Sequence, residues 1–92
     1  VIGEILKMIE KEIINEWLNT YLHLILKYNI HILGEVKYIN YNIHLDKNGF
    51  WMLIDDNKIT LELMNETTIK LICQMLPYYQ KEMDRVLCRK EL

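Results

Sequence analysis

The spacing of apolar residues divides the chain into three stretches. Over residues 1–28, Ile2, Ile5, Leu6, Ile9, Ile13, Trp17, Tyr21, Leu24 and Tyr28 recur at helical intervals, while Lys7, Lys11, Asn15, Asn19, His23 and Lys27 repeat every four residues as an opposing polar stripe. This pattern predicts one long amphipathic helix. Ile14, Leu18, Leu22, Ile25 and Leu26 add a second apolar stripe to its later half. That half is expected to be covered on two sides, by the sheet and the last helix together or by another chain.

From Asn29 the period changes, and Gly34 breaks the apolar run. Ile39, Tyr41, Ile43 and Leu45 then alternate with Tyr38, Asn40, Asn42 and His44, the two-residue period of a half-buried strand. Asp46-Lys47-Asn48-Gly49 reads as a hairpin turn, because Asn and Gly tolerate positive φ. Phe50–Ile54 follows as a strand with no polar member, so both its faces call for cover. After a turn at Asp55-Asp56-Asn57-Lys58, Ile59, Leu61 and Leu63 alternate with Thr60 and Glu62 in a third strand. Asn29–Leu33 also alternates, and reads either as a short fourth strand or as an extension of the first helix.

Asn65 is placed to cap the final helix, with Glu66 near its positive end. Ile69, Ile72, Leu76, Tyr79, Met83, Val86 and Leu87 hold one face to the end of the chain. Pro77 removes a helical hydrogen bond, but the stripe keeps its phase across it, which predicts a kinked continuation rather than a turn-back. The expected architecture is therefore α+β: a long N-terminal helix, a three-stranded antiparallel meander with a candidate fourth strand, and a C-terminal helix kinked near Pro77.

At 92 residues and 51% hydrophobic content, the chain fits a single domain spanning residues 1–92. A domain of this size buries only about 60% of the surface its unfolded chain exposes, so a paired subunit or bound partner would widen its stability margin. The formal charge is -2, which argues against a dominant electrostatic attraction to nucleic acid or anionic membrane. Charged residues interrupt every long apolar run, so no membrane span is expected. No stretch has a signal-peptide pattern, and the expected location is cytoplasmic.

The chain has no alanine and no serine, while Ile, Leu, Lys, Asn and Tyr are abundant. That bias points to an AT-rich genome, such as that of a phage, virus or low-GC bacterium. It also excludes a Ser-His-Asp triad and a serine-bearing phosphate loop. Cys73 and Cys88 have no Cys or His two to four residues away, so no structural zinc site is expected. Fifteen residues apart on one helix, they stand about 22 Å from each other, beyond disulfide reach.

The remaining chemical candidates each have a plainer explanation. His44 beside Asp46 suggests an acid–base pair, but surface polar residues next to a turn explain the same facts and are the reading preferred. Asp55-Asp56-Asn57 lacks the oxygen spacing and distal Glu of a calcium loop. Cys73 sits among Ile69, Leu71, Ile72, Met75 and Leu76, which would raise its pKa and keep it inert. Tyr-Asn-Ile-His occurs at residues 28–31 and 41–44, a repeat too short in so biased a composition to indicate duplication.

With no catalytic constellation and no expected metal or cofactor, the surplus of apolar and aromatic residues points to a non-enzymatic protein-binding module. A regulator, inhibitor or assembly factor, plausibly phage- or virus-encoded, fits this reading, with a homodimer as the expected form. Trp17, Tyr21, Tyr38, Tyr41, Trp51, Tyr78 and Tyr79 are the candidate interface residues, since interfaces favour aromatics. The alternative is a nucleic-acid-binding regulator that uses the basic side of the last helix, Lys81, Arg85, Arg89 and Lys90, with sheet aromatics for stacking. Glu82, Asp84 and Glu91 dilute that basic side. No feature of the chain carries the signature of a known family.

Overall fold

The computed structural model describes residues 1–37 and 40–91. Tyr38 and Ile39, a candidate interface residue and the expected start of a strand, lie outside the described residues. The fold is α+β: helix α1 (Ile2–Tyr28), strands β1 (Ile32–Val36), β2 (Tyr41–Asp46), β3 (Gly49–Ile54) and β4 (Asn57–Thr60), a 3-10 turn at Leu61–Leu63, and helix α2 (Glu66–Glu91). The strands form one antiparallel meander in the order β1-β2-β3-β4.

α1 ends where its period does. Asn29 takes a left-handed conformation (φ 50°, ψ 52°), and the Ile30 N–H donates back to the Ile25 carbonyl at 3.0 Å. This is the six-to-one closure of a Schellman-type end, and it turns the chain into the sheet. The alternation beginning at Asn29 becomes β1, shifted to Ile32–Val36. Gly34 therefore does not break the run. It sits inside β1 opposite Ile43, where a Cβ would collide with the Tyr79 hydroxyl.

The two turns that follow β2 and β3 match their residue chemistry. Asp46 Oδ1 accepts from the Asn48 N–H at 2.8 Å, and Gly49 has φ 86°. Between β3 and β4, Asp55 (φ 50°) and Asp56 (φ 66°) are both left-handed, the geometry of a two-residue type I′ hairpin. The expected strand over Ile59–Leu63 stops at Thr60 because Leu61–Leu63 tighten into the 3-10 turn, closed by Met64 N–H to Leu61 O at 3.3 Å. Asn65 caps α2 as its sequence predicts, its Oδ1 accepting from the Thr68 N–H at 2.8 Å. α2 then runs unbroken through Pro77, which lies on its exposed side.

Both helices cover the same face of the sheet. Ile32, Val36, Ile43, Leu45, Phe50 and Met52 point inward and are buried, together with Ile14 and Ile25 of α1 and Ile69, Ile72, Tyr79 and Met83 of α2. Phe50 joins the layers, packing on Trp17 (5.9 Å between ring centres) and edge-on to Tyr79 (5.0 Å). On the other face of β3, Leu53 is exposed and Trp51 half-buried.

The helices run parallel. Gly3 lies against Glu66, the Cys73 thiol donates to the Glu10 carbonyl at 3.4 Å, and the Trp17 indole N–H donates to Gln80 Oε1 at 3.1 Å. Each seven-residue step on α1 is matched by seven on α2, two turns of each helix at a time. The rest of the chain meets α1 progressively nearer its N-terminus: Gly49 at Leu18, Glu62 at Lys11 through an ion pair of 3.5 Å, then Glu66 at Gly3. The N-terminal part of α1 consequently extends past the strands, with α2 and the 3-10 turn as its recorded neighbours.

Candidate interaction surfaces

Two surfaces combine chemistry with exposure: the N-terminal half of α1 and the outer face of the sheet. On α1, none of residues 1–13 is buried, although seven of them are large and apolar. Ile2 is 77% exposed, Ile5 53%, Leu6 50%, Ile9 47% and Ile13 47%. At 100° per residue these five side chains fall within one stripe, while Gly3, Glu10 and Trp17, which meet α2, lie on the adjoining side. Together they leave about 500 Å² of contiguous apolar surface, at the upper end of what monomers usually show in one patch. A shallow groove of about 380 Å³, lined by Ile5, Met8, Ile9, Lys11, Glu12 and Asn15, runs beside the stripe.

On the outer sheet face, the register brings Leu33, His44, Trp51 and Thr60 into one row. The His44 ring stacks on Trp51 at 4.1 Å and is nearly parallel to it (7°). The His31 ring lies beside His44, parallel to it (2°) and 5.0 Å away between centres, with His31 Nε2 and His44 Nδ1 sharing one hydrogen bond of 2.8 Å along their edges. Lys58 Nζ lies 4.5 Å from the Trp51 ring centre. The two Tyr-Asn-Ile-His segments thus meet through their histidines. Burial, and then His31 beside it, holds the His44 imidazole below its ordinary value; Asp46 acts in the opposite sense and Lys58 in the same one. His44 thus belongs to an outer column with Trp51 and His31, while Asp46 Oδ1 serves the turn by accepting from the Asn48 N–H, as the plainer reading of these two residues expects. The Trp51 indole N–H is buried within the column and has no acceptor among the described residues.

The aromatic candidates separate accordingly. Tyr79 is fully buried, donating its hydroxyl to the Ile43 carbonyl at 3.0 Å, and its phenol pKa is pushed up, chiefly by burial. A side chain so placed offers nothing to a partner. Trp17 and Tyr21 are half-buried and converge on Gln80 Oε1, Tyr21 at 2.7 Å, so they join α1 to α2. Trp51 is engaged within the outer column. Tyr41 and Tyr78 are exposed, and the Tyr78 hydroxyl donates to the Leu33 carbonyl at 2.9 Å, closing part of the β1 edge.

Lys81, Arg85, Arg89 and Lys90 are all exposed, the first three in a single i, i+4, i+8 line. Glu82 pairs with Arg85, and Trp51 is already engaged by the His44 ring and by Lys58 Nζ, which leaves less of it free for base stacking. Cys73 and Cys88 are free thiols. Burial, followed by the nearby Glu10, raises the Cys73 pKa, in keeping with an inert thiol. Among the described residues no three His, Cys, Asp or Glu side chains converge as a metal site, and no helix is long and apolar enough to cross a membrane.

The long helices are expected to take part in binding, but choosing residues by aromatic type passes over the α1 stripe, because Ile and Leu at helical spacing read as core. No family model, curated protein or solved structure matches this chain.

Proposed function

We propose that this chain is a small non-enzymatic protein-binding module that acts through an apolar interface, with homodimerisation as its principal form. The observation that carries this reading is the uncovered Ile2, Ile5, Leu6, Ile9 and Ile13 stripe of α1. Apolar area of this extent costs free energy in water at about 25 cal/mol per Å², a cost that association removes. The contact surface differs from the aromatic set that composition suggests. It is aliphatic and it lies on α1, whereas among the described aromatic candidates only Tyr41 and Tyr78 are exposed.

Solution mass by light scattering, at low and high salt and with and without nucleic acid, tests the proposal. A dimer whose mass is insensitive to salt and unaffected by nucleic acid supports the apolar interface. A monomer that joins nucleic acid only at low salt overturns it in favour of the Lys81, Arg85, Arg89 and Lys90 stripe, because counterion release makes phosphate binding fall steeply with added salt.

A further inference from the structure

We infer that the partner of α1 is the α1 of a second copy, packed antiparallel about a two-fold axis that passes between Lys7 and Met8, with Ile2 against Ile13 and Leu6 against Ile9. The inference rests on the proposed apolar interface and specifies its geometry. Ile2, Leu6, Ile9 and Ile13 are separated by four, three and four residues, the spacing by which one helix seam meets another. This sequence of intervals reads the same in both directions. Reversing the helix therefore superposes these four positions on themselves, with Ile5 on the flank, as a two-fold interface requires when residue i meets j and j meets i.

The stripe also has a defined limit on its C-terminal side. The next two seam positions are Glu16 and Thr20, both exposed, and the Thr20 hydroxyl is engaged with the Glu16 carbonyl at 3.0 Å. The apolar seam thus stops after about 16 Å, at 1.5 Å per residue. An antiparallel copy centred between Lys7 and Met8 sets the four seam residues against one another over that length. A parallel copy in register would instead set Ile2 on Ile2 and carry on toward Glu16 facing Glu16.

Area decides between a second copy and a weaker encounter. At full cover, about 500 Å² from each chain amounts to about 1,000 Å² of apolar surface in the pair, and Met8 beside the stripe adds to it, which stands at the threshold for a specific interface. Packing inside the chain is undisturbed, since Gly3, Glu10 and Trp17 meet α2 on a different side of α1.

Charge complementation tests this arrangement. Leu6→Lys and Ile9→Glu, made in separate chains, each place an unpaired charge in the seam and are expected to weaken the dimer by about 100-fold or more. Both positions are half-exposed in the single chain, so circular dichroism should show unchanged folding. Mixing the two variants brings the opposite charges face to face only in the antiparallel register, and light scattering should recover a dimer from the mixture. If the single variants dissociate and the mixture does not recover, the antiparallel geometry is overturned while the α1 face stands as the interface. If the unaltered chain is a monomer up to about 1 mM, where only interactions weaker than about 4 kcal/mol would escape notice, or if the single variants remain dimers, the α1-face proposal falls and this inference with it.

Discussion

Replacing Gly34 by alanine should destabilise the fold by an amount that a second substitution partly restores. A Cβ at residue 34 would stand 2.9 Å from Met75 Cε and 3.0 Å from Tyr79 Cζ, with the Tyr79 hydroxyl oxygen closer still. Met75 can yield, because its terminal methyl is the end of a flexible side chain. Tyr79 cannot easily do so, since its ring is packed edge-on to Phe50 at 5.0 Å and its hydroxyl is tied to the Ile43 carbonyl. The overpacking is expected to cost about 1–3 kcal/mol, reduced by up to about 1 kcal/mol because alanine loses less backbone entropy than glycine in a strand. Tyr79→Phe alone removes the hydrogen bond to Ile43 and should cost about 1–2 kcal/mol. It also removes the atom nearest the new methyl group, so the double variant should be more stable than the sum of the singles by about 1 kcal/mol. Urea unfolding followed by Trp fluorescence measures all four proteins, at one fixed chain concentration because self-association would shift the midpoint. Strict additivity would refute the argument that the Tyr79 hydroxyl is what requires glycine here.

Three further outcomes follow from individual residues. His44 has a pKa held below 6.5 in the folded chain, so the unfolded chain binds more protons as the pH falls below that value. The contribution of His44 to stability is therefore full above pH 6.5 and is lost as the pH falls through the folded value; urea midpoints at pH 5 to 8 should show this decline in the parent protein and a shallower one in His44→Asn. Asp56→Gly should stabilise the chain by about 0.5–1 kcal/mol, since residue 56 has φ 66° and glycine adopts that conformation without a Cβ penalty; an unchanged or lower urea midpoint would contradict the strain argument. Asn65→Ala should cost about 1 kcal/mol in the same assay by leaving the Thr68 N–H without its side-chain acceptor.

What the sequence made legible were the features set by local rules. The end of α1 at Tyr28, the Asp46–Gly49 turn, the cap at Asn65 and the passage of α2 through Pro77 each follow from residues within one or two turns of chain. The departures arise where a distant residue decides. Gly34 looks like a break when read along the chain, but it is required within β1 because Tyr79, 45 positions later, presses its hydroxyl against that strand. Ile59–Leu63 keeps strand-like alternation, yet the chain must leave the sheet at Leu61 to carry Glu62 to Lys11 and Glu66 to Gly3, which tightens the backbone into a 3-10 turn.

The candidate surface was harder to read for the same reason. Aromatic residues suggest interfaces by type, but Tyr79, Trp17, Tyr21 and Trp51 each find partners within the chain, as core, helix junction and stacked column. Ile2, Leu6, Ile9 and Ile13 carry the same periodic signal as the buried Ile14 and Ile25, because amphipathic spacing records that a face needs cover without recording what supplies it. The difference lies in the parallel helix pairing. With Gly3 set beside Glu66, the strands reach only the later part of α1, and α2 occupies one side of the rest. Among the described residues, the earlier stripe therefore has no layer to meet. A periodic apolar face becomes an interface candidate at the point where topology runs out of elements to bury it, and here that point falls near Ile13.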